Sequence, residues 1–299
     1  MELLVFGAGS LGSLLGGLFA REHEVTLIGR EAHVQQVEAE GLAITGMVDE
    51  RVHPRAKTDV TDVTADIALV TVKSYDTQAA AQALGSANID AVCSLQNGLG
   101  NEEILADTLS IPILGGSVTY GADLIEPGVV EMTGAGSITV GPFRDGGEQF
   151  SSSLIDAFHA ADIEASATED IETTLWRKVA INAAINPVAA LARCRNGALV
   201  EGPLADVADA AAREAAAVAR ENGVAMDDDA ITDDVQEVAE ATAANRCSML
   251  QDVLSGGRTE INAINGAIVD RSDGVDVPVN ETLTSLVRGL EEYELTEVD

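Results

Sequence analysis

The stretch Glu2-Leu3-Leu4-Val5-Phe6-Gly7-Ala8-Gly9-Ser10-Leu11-Gly12 decides how this 299-residue chain is to be read. A short apolar run fit for a buried parallel strand is followed at once by glycines, and residues 11–20 continue with helical periodicity. Glu24–Ile28 is a second apolar run, so strand, glycine turn, helix and strand fall within thirty residues as one βαβ unit. In that setting GxGxxG has a mechanical meaning. Gly7 permits the tight turn, Gly9 lets the backbone approach a pyrophosphate, and Gly12 lets the helix close on the sheet. The first N–H groups of the helix then face the anion. Gly7, Ala8, Gly9, Ser10, Leu11 and Gly12 are the expected dinucleotide-binding residues; a glycine-rich turn of another α/β fold is the alternative.

The alternation continues outward. Residues 66–72 (DIALVTV) and 89–95 read as further buried strands with an Ala/Gln-rich helix between them. Residues 111–119, 129–132 and 137–140, separated by turns such as Glu126-Pro127-Gly128, read as the far, partly antiparallel side of the same sheet. A helix near 149–160 and a strand at 163–167 complete a first domain, residues 1–168. Beyond it strand signals vanish, and helices are expected at 169–186, 202–222, 233–249, 258–271 and 281–295. The expected fold class is α/β, an N-terminal Rossmann-type dinucleotide-binding domain followed by an all-helical C-terminal domain, residues 169–299.

Charge excludes several functions. Fifty acidic against seventeen basic residues leave a net charge of −33, spread along the chain rather than gathered in a tail. Nucleic acid and anionic membrane are poor partners for such a surface, and no window approaches the ~18 apolar residues of a membrane span. The start MELLVFGAGS has no basic segment ahead of its apolar run, so a cytoplasmic protein is expected. Only Lys57, Lys73 and Lys178 occur, arginine supplying the other fourteen cations. An acidic, lysine-poor surface resembles that of proteins from salt-accumulating halophiles, with an acidic mesophilic protein as the alternative. Lysines that remain in such a chain are expected to have specific roles, although Lys57 in HPRAKTDVTD reads as ordinary surface. Cys93, Cys194 and Cys247 form no CxxC pair and the four histidines lie beside no plausible co-ligand, so no metal site is expected.

The second strand ends Val25-Thr26-Leu27-Ile28-Gly29-Arg30, where an NAD site commonly has an acid; Arg30 can fork onto a 2′-phosphate and favours NADP(H). Glu31 directly after it is the acidic partner of an NAD site if the strand runs one residue longer. Further on, Lys178, Asn182 and Asn186 recur every four residues, which on a helix places one ammonium and two carboxamides along one face among apolar neighbours. Solvated faces in this chain are made of Asp and Glu, and asparagine is a poor helix former, so the row reads as ligand-facing. Ser248 and Glu260 flank the Gly256-Gly257 break, Glu260 being open to a plain helix-start role, and Asn97 is either at the ligand edge of the sheet or a turn asparagine.

Taken together, GAGSLG, the strand-end lysine of TVKSYDT, LQNGLGNEE, WRKVAINAAINPV and SMLQDVLSGGRTEINAINGAIV resemble the ketopantoate reductase (2-dehydropantoate 2-reductase) family over almost the whole chain. The resemblance implies NADPH-dependent reduction of a small 2-oxo acid, ketopantoate, to pantoate in pantothenate and coenzyme A synthesis, by a monomer or homodimer. It implies Lys178 as proton donor with Glu260 near it, and Asn97, Lys178, Asn182, Asn186, Asn196 and Ser248 as substrate-binding residues. Arg30, Lys73, Asn97, Ala122 and Glu260 would join the glycine loop in binding the cofactor. Another NAD(P)-dependent 2-hydroxy acid dehydrogenase with a helical second domain, or a non-catalytic NADP(H)-binding sensor, are the rival functions.

Overall fold

The computed structural model describes residues 1–144 and 146–294. Its contacts divide the chain into two units, one of Met1–Gln96 and Asn101–Ile171, the other of Asn97–Gly100 and Glu172–Asp299.

In the first unit β1 (Glu2–Phe6), α1 (Ser10–Phe19), β2 (Glu24–Ile28), α2 (Glu31–Glu40), β3 (Leu42–Gly46), β4 (Glu50–Val52), β5 (Arg55–Lys57) and β6 (Thr64–Val70) come first. Then follow α3 (Thr77–Leu84), β7 (Asn88–Ser94), α4 (Asn101–Thr108), β8 (Ile113–Val118), β9 (Gly121–Glu126), β10 (Val129–Gly134), β11 (Ile138–Pro142), α5 (Glu148–Ala160) and β12 (Ala165–Ala167). Eight strands form one sheet in the order β12-β11-β8-β7-β6-β1-β2-β5. It is parallel from β5 to β8, and β11 then runs antiparallel to β8. Alternation along β1 sends Leu3 and Val5 into the core under α1 and α2, and Leu4 into the core under α3 and α4.

The expectation of one sheet needs a correction. The run at 129–132 is β10, which belongs to a separate four-stranded sheet, β4-β3-β10-β9, together with three strands the sequence did not announce. This sheet packs on α1: a Cβ on Gly17 would meet Ile44 at 2.9 Å and Leu42 at 3.1 Å, so glycine lets the layer approach. Its strands alternate buried and half-exposed residues, a weaker signal than the continuous apolar runs of the main sheet.

The second unit is helical: α6 (Ile171–Ala192), α7 (Pro203–Glu221), α8 (Asp228–Ala241), α9 (Ser248–Leu254), α10 (Asn265–Asp270) and α11 (Pro278–Glu294). Ala208, Ala211, Ala212, Ala215, Ala216 and Ala219 make α7 a stripe of small buried residues. Three expected boundaries fail for identifiable reasons. The helix expected to stop at Asn186 runs through Pro187. Proline removes the N–H that would serve the Ala183 carbonyl, and Asn265 Nδ2 donates to that oxygen instead at 3.0 Å. The single helix expected at 233–249 is two, because the N–H groups of Asn196 and Gly197 and the Arg195 guanidinium take the carbonyls of Asn245, Ala243 and Ala244. The helix expected at 258–271 begins only at Asn265, since Leu99 N–H claims the Ala263 carbonyl at 2.9 Å. The expected end at Leu295 lies outside the described residues. Among the described residues no helix is long and apolar enough to cross a membrane, and no cluster of His, Cys, Asp and Glu is fit to hold a metal.

Candidate active site

In the first unit the glycine loop leaves β1 with Gly7 at φ 116°. The N–H groups of Gly7 and Ala8 both donate to the Ile28 carbonyl, at 3.0 and 2.8 Å, and Thr71 Oγ1 donates to the Gly7 carbonyl at 2.9 Å. A Cβ on Gly7 would lie 2.6 Å from Val72 N, and one on Gly12 would run into the Gly7 carbonyl and Thr71 Oγ1. A Cβ on Gly9 would meet nothing closer than 4.0 Å. Two glycines are therefore required by packing, while the third faces open space at the start of α1. There Gly9 is the N-cap, no side chain caps the helix and no acid stands in its first turn. The first-turn N–H groups have no intrahelical acceptor, so they and the helix dipole present positive partial charge to an anion. The Ser10 hydroxyl is already engaged, accepting from Leu124 N–H at 3.0 Å, which leaves its backbone N–H for an anion. Leu11 packs partly into the core, as does Ala122 on β9.

Around the carboxyl ends of the strands stand the expected cations. β2 stops at Ile28, so the condition under which Glu31 would have been its end is not met; Glu31 is the first residue of α2, and its Oε1 accepts from Gln35 at 2.6 Å. Arg30 is the exposed N-cap of α2. Lys73 is half-buried at the start of a 3-10 turn after β6. Gln96, the last residue of this unit before Asn97, is buried and donates to Val72 O at 3.0 Å and Thr77 Oγ1 at 2.8 Å, bracing the segment that carries Lys73.

In the second unit Lys178, Asn182 and Asn186 lie on one face of α6, the first two half-buried and Asn186 buried. Their neighbours Val179, Ala180, Ala183, Ala184 and Ile185 belong to the helical core. Cys247 ties the start of α9 to this row. Its thiol donates to the Asn186 carbonyl at 3.5 Å and accepts from Leu250 N–H at 3.4 Å, which ties the N-cap just before the exposed Ser248 to α6. Burial pushes the Cys247 thiol up to about 11, so it stays a protonated donor near neutrality. The sequence offered Cys247 only as a small buried hydrophobe; no spacing signalled its capping role.

Asn196 is also buried: Nδ2 donates to Thr242 Oγ1 at 2.9 Å, while its buried Oδ1 has no hydrogen-bond partner among the described residues. Asn97 and Glu260, 163 residues apart, meet directly, Asn97 Nδ2 donating to Glu260 Oε2 at 3.3 Å. The match is enforced by Gly98 at φ 94°, where a Cβ would collide with Ala263, and by the Leu99 to Ala263 bond. Glu260 is 6% exposed between Thr259 and the core residue Ile261. The second unit thus carries one ammonium, one carboxylate, four carboxamides and a hydroxyl, of which Asn97 and Glu260 are in direct contact and Lys178, Asn182 and Asn186 share one helix face.

Known proteins resemble this chain over nearly its whole length. The family model described as "Ketopantoate reductase PanE/ApbA" matches residues 3–145, and "Ketopantoate reductase PanE/ApbA C terminal" matches residues 170–291. The 2-dehydropantoate 2-reductase of Archaeoglobus fulgidus is 41% identical over 293 residues, covering 96% of this chain and 97% of the relative. A crystal structure of a PanE/ApbA family ketopantoate reductase from Ralstonia eutropha JMP134 superposes with TM-score 0.91 at 35% identity, covering 99% and 100% of the two chains. The ternary structure of D-mandelate dehydrogenase with NADH and anilino(oxo)acetate superposes with TM-score 0.92 at 25% identity, also covering 99% and 100%.

Proposed function

The chain belongs to the ketopantoate reductase family, and from that premise we propose that it reduces 2-dehydropantoate to pantoate with NADPH, serving pantothenate and coenzyme A synthesis. The observation that carries this reading is the face of α6 on which Lys178 stands in line with Asn182 and Asn186, inside an otherwise apolar wall. The glycine loop, with Arg30, Lys73 and Ala122 in the same unit, would hold NADPH, which supplies the hydride of the reaction when bound, and Arg30 and Lys73 are the cations that would meet its 2′-phosphate. The remaining chemistry belongs to the chain's own residues. Lys178 gives a proton to the carbonyl oxygen as negative charge develops there, leaving a hydroxyl. Glu260, held by Asn97, keeps the ammonium in position. Asn182, Asn186, Asn196 and Ser248 bind the carboxylate and hydroxyl of the 2-oxo acid, and being neutral they add no repulsion toward an anionic substrate. The open Oδ1 of Asn196 suits a substrate hydroxyl as donor.

One observation favours a second reading. The same frame, with TM-score 0.92, serves a D-mandelate dehydrogenase crystallised with NADH. Purified protein assayed for NADPH and NADH oxidation in high salt, with ketopantoate, pyruvate, 2-oxoisovalerate and benzoylformate, separates the two. The highest kcat/KM is expected for ketopantoate with NADPH; a preference for benzoylformate with NADH selects the second reading.

The protein is further proposed to be cytoplasmic, a monomer or homodimer, and adapted to high salt, on the support of its −33 charge and three lysines. Its thermal midpoint should climb between 0.1 and 1 M KCl, as the Debye length falls from ~10 to ~3 Å. A flat or falling midpoint rejects salt adaptation.

A further inference from the structure

Lys57 reads in the sequence as ordinary surface, and the fold gives it another address. It ends β5, the outermost strand of the eight-stranded sheet, which runs parallel to β2 with Lys57 opposite Ile28. Gly29 N–H donates to the Lys57 carbonyl at 3.0 Å, tying this residue to the one just before Arg30. Strands lie about 4.8 Å apart. Lys57 is therefore one strand outward from the end of β2, whereas Lys73 follows β6, two strands inward.

Alternation along β5 settles which way the side chain turns. Ala56 enters the core shared with Val34 and Val37 of α2, so Lys57 turns to the other face, that of Ile28, Val60 and Val70. There it is half-buried, and its Nζ donates to Thr61 O at 2.7 Å. An ammonium has three donors, so two remain for another acceptor. The nearby Asp59 accepts from Thr61 N–H at 2.8 Å, and its hydrogen bonds to Thr61, with a smaller contribution from the Lys57 charge, hold its carboxyl below the usual range, although the two side chains make no ion pair among the described residues. One of only three lysines in the chain is thus anchored by backbone and loop at the end of the strand paired with β2, opposite the residue that precedes Gly29 and the exposed Arg30.

We propose that Lys57 is a further cation for the adenosine 2′-phosphate, in addition to Arg30 and Lys73, and with Arg30 sets the preference for NADPH over NADH. Arg30 provides the planar fork and Lys57 the point charge from the outer edge of the sheet. The inference rests on the reading that puts the 2′-phosphate at the end of β2. Its test is calorimetric binding of adenosine 2′,5′-bisphosphate and of adenosine 5′-monophosphate, at one fixed KCl concentration, to the wild type and to Lys57→Gln, Lys57→Arg and Arg30→Ala. Lys57→Gln should weaken the bisphosphate by about fivefold or more while leaving the monophosphate within about twofold, and Lys57→Arg should retain most of the affinity. If Arg30→Ala weakens the bisphosphate and Lys57→Gln does not, Lys57 has no part in the site although the site itself stands. If neither variant alters the difference between the two nucleotides, the end of β2 does not hold the 2′-phosphate and both readings fall. Equal weakening of both nucleotides by Lys57→Gln assigns it a purely structural role and overturns the proposal.

Discussion

Two helix starts in this chain are built in opposite ways. α8 opens with Asp227, whose carboxylate accepts from Asp229 N–H and Ala230 N–H, and Asp228 and Asp229 add negative charge to the first turn. α1 opens with Gly9, uncapped, with no acid in its first turn and space above it. α3 and α10 also lack a side-chain cap and a first-turn acid, and α1 is set apart by the glycine turn that precedes it and the open space at Gly9. The contrast extends to the two units. The first offers an anion backbone dipoles and room, whereas the second offers side chains set on helices. A site made of backbone is damaged by added atoms, and one made of side chains by removed ones.

The largest expected effect tests the side-chain half. Lys178→Ala should lower kcat by ~10²–10⁴ while NADPH binding stays nearly intact, and Lys178→Arg should not restore the rate, because a guanidinium stays protonated and is bulkier. Single-turnover kinetics with a fluorescence titration of NADPH measures both. Retention of more than about a third of the wild-type rate would remove the proton-donor role.

Next comes the backbone half, probed by adding a single methyl. Gly12→Ala puts a Cβ into the Gly7 carbonyl and 2.5 Å from Thr71 Oγ1, and overpacking of this kind costs about 1–3 kcal/mol, so NADPH affinity should fall about tenfold or more. Unchanged affinity would break the contrast between the units.

A smaller effect concerns what holds the Lys178 helix together. Asn265→Ala leaves the Ala183 carbonyl without the donor that replaces Pro187, and leaves Asn280 Oδ1 without its 3.0 Å partner. Denaturant unfolding should show a loss of about 1–3 kcal/mol with little change in NADPH affinity. A loss below about 0.5 kcal/mol would mean that the helix spans Pro187 without this carboxamide.

The smallest expected effect lies behind the bare helix. Gly128 N–H donates to His33 Nδ1 at 3.2 Å, so the ring proton sits on Nε2 and is directed at Ser13 Oγ at 3.1 Å, joining α1, α2 and the β9–β10 turn. Burial holds His33 below its ordinary value of 6.5. The unfolded chain therefore binds this proton at a higher pH than the folded one, and the stability His33 contributes is lost as pH falls below about 6.5. Between pH 7 and 5 the wild type should lose stability relative to His33→Gln, read as a falling denaturant midpoint. Parallel stability curves for the two proteins would show that the ring charges without penalty.

How much of this was legible follows from where each signal is stored. β1, the glycine loop and α1 are contiguous, so their order alone specified a βαβ unit and the position of the anion cradle. The row Lys178, Asn182, Asn186 was legible because helical periodicity converts a spacing of four into one face, whatever surrounds the helix. The pairing of Asn97 with Glu260 was not legible, because it depends on a loop after β7 docking on a turn 163 residues later. The same docking ended the expected 258–271 helix early, since a carbonyl taken by a distant N–H is lost to the helix ladder. Pro187 erred in the other direction, for local propensity forbids what one buried asparagine from α10 permits.

The second sheet and Lys57 complete that division. β3, β4 and β5 are short and half-exposed, with no run of apolar residues to declare them, and they exist because α1, α2 and β2 offer edges and faces to pair with. The sequence by itself determined the class of fold, the anion cradle and the helical row, all of which are properties of residues close together in the chain. Tertiary structure alone decided which carbonyl each distant donor would satisfy and that β5 would pair with β2, setting Lys57 opposite Ile28. Those outcomes depend on hydrogen bonds and strand register between segments far apart, and no local propensity encodes them.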